Sequence, residues 1–198
     1  MDHATLSKPA APAAAARNFK VRGMHHHAYK CKDPIATRHF YEDVLGMPLE
    51  HIVRATHVPT TGGAPVHYFH MFFRMGDGSY MAFFDLGDNE AAAPSPNTDR
   101  WINHIALEVE NYDQLVAIKK RLEEEGVQSV GPLDHDFIKS IYLFDPDGIR
   151  LEFTVRTPGS DGHVYGETRT PDEEFKIWLK ERSRAKEFAA SWKVAQRQ

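Results

Sequence analysis

Residues 26–33, HHAYKCKD, and residues 104–111, HIALEVEN, are two versions of one pattern, and their agreement decides the fold. Each opens on a histidine, alternates as a strand does, and ends on a residue suited to capping a helix, Asp33 or Asn111. The segments after the caps agree as well. Pro34 sits at the first helical position of IATRHFYEDVL, and Gly46 supplies a stop. The amphipathic stretch YDQLVAIKKRLEEEG ends at Gly126 in the same way. Three extended segments come next in each half: 48–58, 66–75 and 79–86, then 127–133, 137–144 and 149–155. Gly76-Asp77-Gly78 and Asp145-Pro146-Asp147-Gly148 provide the turns before the last strands. DGSYMAFF, residues 77–84, stands against DGIRLEFT, residues 147–154. Strand, helix and three strands, twice over, is an internal repeat.

The repeat sets the expected boundaries. Residues 1–20 form an Ala/Pro-rich arm, 21–86 the first βαβββ module, 87–101 a linker, 102–156 the second module, and 157–198 a loop and C-terminal helix. That helix opens at Thr170-Pro171 and sets Phe175, Trp178 and Leu179 on one face, expected to pack on the body or on a second subunit as a homodimer.

Bulk composition narrows the function. The chain has 198 residues, 41% hydrophobic and 26% charged, which suits a globular protein with a proper core. A net charge of −4 argues against nucleic acid, whose phosphates need a basic face. No apolar run reaches the roughly 20 residues of a membrane span, and the leader lacks the apolar core of a secretory signal. A single cysteine, Cys31, fits a reducing compartment, so the expected location is cytoplasmic. A small-molecule substrate is the expected partner.

Alternation then sorts the histidines of GMHHHAYKCKD, residues 23–33. In the second module Ile105, Leu107 and Val109 point toward the helix, and His104, Ala106 and Glu108 point away. Aligning Asp33 with Asn111 sets His26 on His104, Ala28 on Ala106 and Lys30 on Glu108. His27, Tyr29 and Cys31 take the core side. Lys30 and Glu108 are expected to approach each other or the mouth of a site. In the last strand Leu151, Phe153 and Val155 face the helix, leaving Glu152 beside the histidines; the first module has Ala82 there. A carboxylate on an otherwise apolar strand is costly unless paired or metal-bound. His26, His104 and Glu152 thus form a candidate two-imidazole, one-carboxylate metal site, suited to Fe(II), with Mn(II) or Zn(II) as alternatives.

HHAYKCKDPIATRHFYEDVLGM, INHIALEVENYDQL and YLFDPDGIRLEF together resemble the vicinal oxygen chelate superfamily of glyoxalases, fosfomycin-resistance proteins and extradiol dioxygenases, over residues 21–155. The resemblance implies an α+β fold: two tandem βαβββ modules forming a curled mixed sheet around a metal, here with an extra C-terminal helix. His135, Ile141-Tyr142, the Asp-Pro-Asp-Gly turn and Glu152 are similar to the signature of the ring-cleaving extradiol dioxygenases, although Leu133 departs from it. That likeness implies an Fe(II)-dependent dioxygenase using O2 on a catechol-like molecule, with His135 and Tyr142 contacting substrate. The usual base histidine is replaced by Ser79 or Tyr80, so His70, or else His67, is the candidate substitute. The alternatives are a non-oxidative isomerase or lyase of glyoxalase type and a small-molecule sequestering protein.

Overall fold

The computed structural model describes residues 21–56, 58, 66–90, 97–159, 170, 173 and 175–181. The arm at 1–20 and most of the loop after Gly159 lie outside them.

Both halves run in the expected order. The first comprises β1 (His26–Lys30), α1 (Pro34–Arg38), a π-helical turn (His39–Val44), β2 (Leu49–Ala55), β3 (Tyr68–Arg74) and β4 (Tyr80–Asp85). The second comprises β5 (Ile105–Glu108), α2 (Tyr112–Glu124), β6 (Ser129–Asp134), β7 (Ile138–Phe144) and β8 (Arg150–Arg156). The caps are those the residues foretell. The Asp33 carboxylate accepts from the amides of Ile35 and Ala36, and Asn111 Oδ1 accepts from Gln114. The first helix differs from expectation beyond Arg38. It widens into a π-helical turn closed by Leu45 N–H to Phe40 O at 3.0 Å, which leaves Tyr41 fully buried.

The strands form two four-stranded sheets, ordered β1-β4-β3-β2 and β5-β8-β7-β6. This corrects the expectation of one curled mixed sheet around a metal. Among the described residues β1 is hydrogen-bonded to β4 alone and β5 to β8 alone, so each ladder ends there and neither sheet closes. The two registers nevertheless coincide. β1 runs parallel to β4 with Ala28 opposite Ala82, and β5 runs parallel to β8 with Ala106 opposite Glu152.

Contacts divide the chain into two compact units, one ending at Asn103 and the other beginning at His104, with Phe144–Ile149 counted in the first. The first core gathers Phe40, Tyr41, Val44, Met71, Phe73, Met81 and Phe83. In the second, Leu115 and Leu122 of α2 are buried along with Leu107, Ile141, Leu143, Leu151 and Phe153. Phe144–Ile149 belongs to the first unit because its carboxylates take donors there. Tyr41 Oη donates to Asp145 at 2.9 Å, and Asp147 accepts from the Lys32 amide at 2.7 Å and from Thr37 Oγ1 at 3.1 Å.

Residues 175–181 are helical, and within the single chain Phe175, Trp178 and Leu179 are exposed, so among the described residues this face does not pack on the body. Among the described residues no helix is long and apolar enough to cross a membrane.

Candidate functional site

The last two strands of the second unit bring its polar side chains to one face. β7 offers Ser140 and Tyr142 and β8 offers Arg150, Glu152 and Thr154, by simple alternation. Glu152 is buried at 4% exposure, and both of its oxygens are engaged. Oε2 lies 3.0 Å from His104 Nε2, and Oε1 accepts from the Tyr142 hydroxyl at 3.0 Å. The Tyr142 oxygen is also 2.9 Å from His135 Nε2. A phenol has one proton, so while Tyr142 donates to Glu152, His135 must hold its proton at Nε2 and donate to Tyr142. Burial, and then the hydrogen bond and charge of Glu152, push the Tyr142 pKa up, which keeps that hydroxyl protonated. Behind it Ser140 Oγ donates to Thr154 Oγ1 at 3.0 Å, a pairing not anticipated from the sequence although alternation places both residues on this face.

The first unit presents the same positions with different chemistry. Phe72 stands where the second has Tyr142, Ala82 where it has Glu152, His70 where it has Ser140, and Phe84 where it has Thr154. His70 therefore has an aromatic neighbour instead of a hydroxyl. It stacks on Phe84 at 3.6 Å and, among the described residues, its buried Nε2 has no hydrogen-bond partner. Burial, with His26 adding to it, pushes its pKa down to about 4, so the ring is neutral at pH 7. His26 lies with its ring centroid 6.0 Å from that of His70 and with Nδ1 2.8 Å from His25 Nδ1. His27 points to the other side, against Tyr29, as alternation requires.

The remaining candidates are engaged elsewhere. Ser79 Oγ donates to Asp77 and Tyr80 Oη to Glu50, so neither hydroxyl is placed as a base. His67 borders an open depression of about 450 Å³ with Arg54, Tyr68 and Asp85. Lys30 pairs with Asp88 and Glu108 with Arg156, so each finds its partner within its own unit.

An imidazole nitrogen and a carboxylate oxygen 3.0 Å apart are an N/O pair that suits a divalent cation, so His104 and Glu152 fit as two of its donors. Among the described residues no group of three or more His, Cys, Asp or Glu side chains is arranged to hold one.

Three comparisons place this geometry among known proteins. The chain is 26% identical over 137 residues to a lactoylglutathione lyase of Neisseria meningitidis serogroup A, covering 64% of this chain and 85% of that one. A glyoxalase family protein of Enterococcus faecalis is 25% identical with a TM-score of 0.50, covering 67% and 97%. The fosfomycin resistance protein FosX of Listeria monocytogenes, solved with Mn(II) and sulfate, has a TM-score of 0.52 at 18% identity, covering 72% and 98%, a likeness of fold alone. None of these singles out the extradiol dioxygenases. Residues 23–153, from before β1 into β8, match the Glyoxalase/Bleomycin resistance protein/Dioxygenase superfamily, and the chain belongs to it.

Proposed function

We propose that the chain catalyses a non-oxidative rearrangement, of isomerase or lyase type, on a small molecule with two neighbouring oxygens. The observation that carries this reading is the buried Glu152 carboxylate held between His104 and Tyr142, with His135 behind. The similarity to lactoylglutathione lyase supports it over ring cleavage with O2 and Fe(II).

In this reading Glu152 Oε1 takes a proton from the carbon beside a carbonyl and returns it to the former carbonyl carbon, while the hydroxyl proton of the first carbon passes to the second oxygen by way of the Tyr142 hydroxyl. No electrons leave the substrate. Tyr142 releases its hydrogen bond to Glu152 as substrate enters and turns its proton toward the developing oxyanion, and His135 steadies the phenol. Burial keeps competing water from the carboxylate. A divalent cation, Mn(II), Zn(II) or Fe(II), held by His104 and Glu152, would polarise the substrate oxygens as a Lewis acid.

The test is thioester formation from methylglyoxal and glutathione, run beside oxygen uptake with a catechol panel. Turnover without oxygen consumption is expected, with Glu152→Gln slower by about 100-fold or more. Oxygen uptake and a ring-cleaved product would overturn the reading. Tight ligand binding without turnover would mark a sequestering protein instead. For the ligand assignment, metal content should fall in Glu152→Ala and in His104→Ala; unchanged occupancy in either removes that residue from the set.

A further inference from the structure

We infer that the end of the first sheet where Arg54, Phe69 and Asp85 stand in one row binds a free α-amino acid with an apolar side chain. The inference is independent of the reaction proposed for the second unit, since every residue of this row lies in the first.

Register builds the row. Arg54 of β2 pairs with Phe69 of β3, and Phe69 pairs with Asp85 of β4. Paired residues on neighbouring strands leave the same face, here the one shared with Met71 and Phe83 and opposite to His70 and Phe72. Cation, ring and anion thus follow one another across three strands, with Arg54 and Asp85 two strand spacings, roughly 10 Å, apart. They border the open depression of about 450 Å³ together with His67 and Leu86.

The second unit closes the equivalent row on itself. Asp134 stands where the first unit has Arg54, Lys139 where it has Phe69, and Val155 where it has Asp85. Lys139 Nζ pairs directly with Asp134, and Val155 brings no charge. In the first unit Phe69 keeps the two charges apart. Among the described residues Arg54 has no hydrogen bond or ion pair, and Asp85 accepts from the Gly87 amide on only one of its two oxygens. The nearby Asp88 is engaged by Lys30.

A cation and an anion that face one depression without pairing are matched by a ligand carrying both charges. Its carboxylate would take two parallel charge-assisted hydrogen bonds from the Arg54 fork, and its ammonium would donate to the second oxygen of Asp85. The long Arg54 side chain covers much of the span, so the remaining gap suits two charges borne on one carbon. Phe69, half-buried between them, and Leu86, 40% exposed, offer apolar surface to the ligand's side chain. A ligand with one charge leaves the opposite group unmatched, which separates an amino acid from a fatty acid or an amine.

The experiment is an NMR titration of the isotope-labelled full chain, read at the amides of Phe69 and Asp85. The probes are leucine, isocaproate, which lacks the amine, and isoamylamine, which lacks the carboxylate. Leucine is expected to bind at least about fivefold more tightly than either analogue, since each partly exposed charge pair contributes modestly. In Arg54→Gln leucine should bind no better than isoamylamine, and in Asp85→Asn no better than isocaproate. The inference is overturned by leucine binding no tighter than either analogue in wild type, or by an absence of shifts at Phe69 and Asp85. A lead over isoamylamine that survives Arg54→Gln, or over isocaproate that survives Asp85→Asn, overturns it as well. If Asp85→Asn fails to fold, Arg54→Gln decides: leucine falling to the level of isoamylamine supports the site, and an unchanged lead sinks it.

Discussion

Asp145 shows how a turn residue can carry an energetic cost. Its carboxylate is buried and held by the amides of Asp147 and Ile149 and by the Tyr41 hydroxyl. Burial pushes its pKa up to about 6, and Asp147 adds to that push, while the hydrogen bonds oppose it. A carboxyl that binds its proton more tightly when folded stabilises the fold most below the ordinary carboxylate range. That contribution is lost as the pH rises toward 6, and stability is level above it. Asp145→Asn keeps the acceptor oxygen and removes the charge. Its stability relative to wild type should therefore rise by about 2 kcal/mol between about pH 4.5 and about pH 7.5. Urea denaturation of both proteins at the two pH values measures this; parallel curves would show that the charge is not strained. The sequence marked this residue as a turn former, but burial and the Tyr41 contact arise from residues over a hundred positions apart.

At the scale of elements, most strands and caps follow from alternation and from residues with one good use, such as Asp33, Pro34 and Asn111. The π-helical turn does not, because IATRHFYEDVL has ordinary helical spacing and the widening accompanies the burial of Tyr41. The bulge between β6 and β7 is a second case. Gly131 has φ of +115°, and a Cβ there would lie 2.5 Å from the Ser140 carbonyl oxygen. That position tolerates only glycine. Gly131→Ala should destabilise the protein by about 2 kcal/mol or more, read as a lower urea midpoint. It should also disturb the Tyr142 and Ser140 pairings of β7, visible as lost protection of their amides from hydrogen exchange. A fully stable alanine variant would mean the bulge can rearrange at no cost.

Across the whole molecule the duplicated plan is matched in register and unequal in chemistry. Ala28 opposite Ala82 repeats as Ala106 opposite Glu152, yet only the second sheet surrounds that position with Tyr142 and His104. Placing a carboxylate in the first sheet tests whether register alone makes a site. Ala82 is fully buried and paired with Phe72, which has no hydroxyl to donate. Ala82→Glu should cost about 3 kcal/mol or more from an unpaired buried charge, seen in chemical denaturation, with no added metal binding by mass spectrometry. A stable variant binding a second equivalent of metal would show that the first sheet is as competent as the second. The amino-acid order by itself determined the repeat, the order of strands and helices, and the common face of His104 and Glu152, because alternation and capping act over a few residues. Only the tertiary structure decided that the strands form two separate sheets, that Glu152 is held from both sides, that His70 is sealed among aromatic rings, and that the turn at Asp145 belongs to the first unit. Each of those depends on which distant side chain fills the space beside a residue, and no local pattern encodes that.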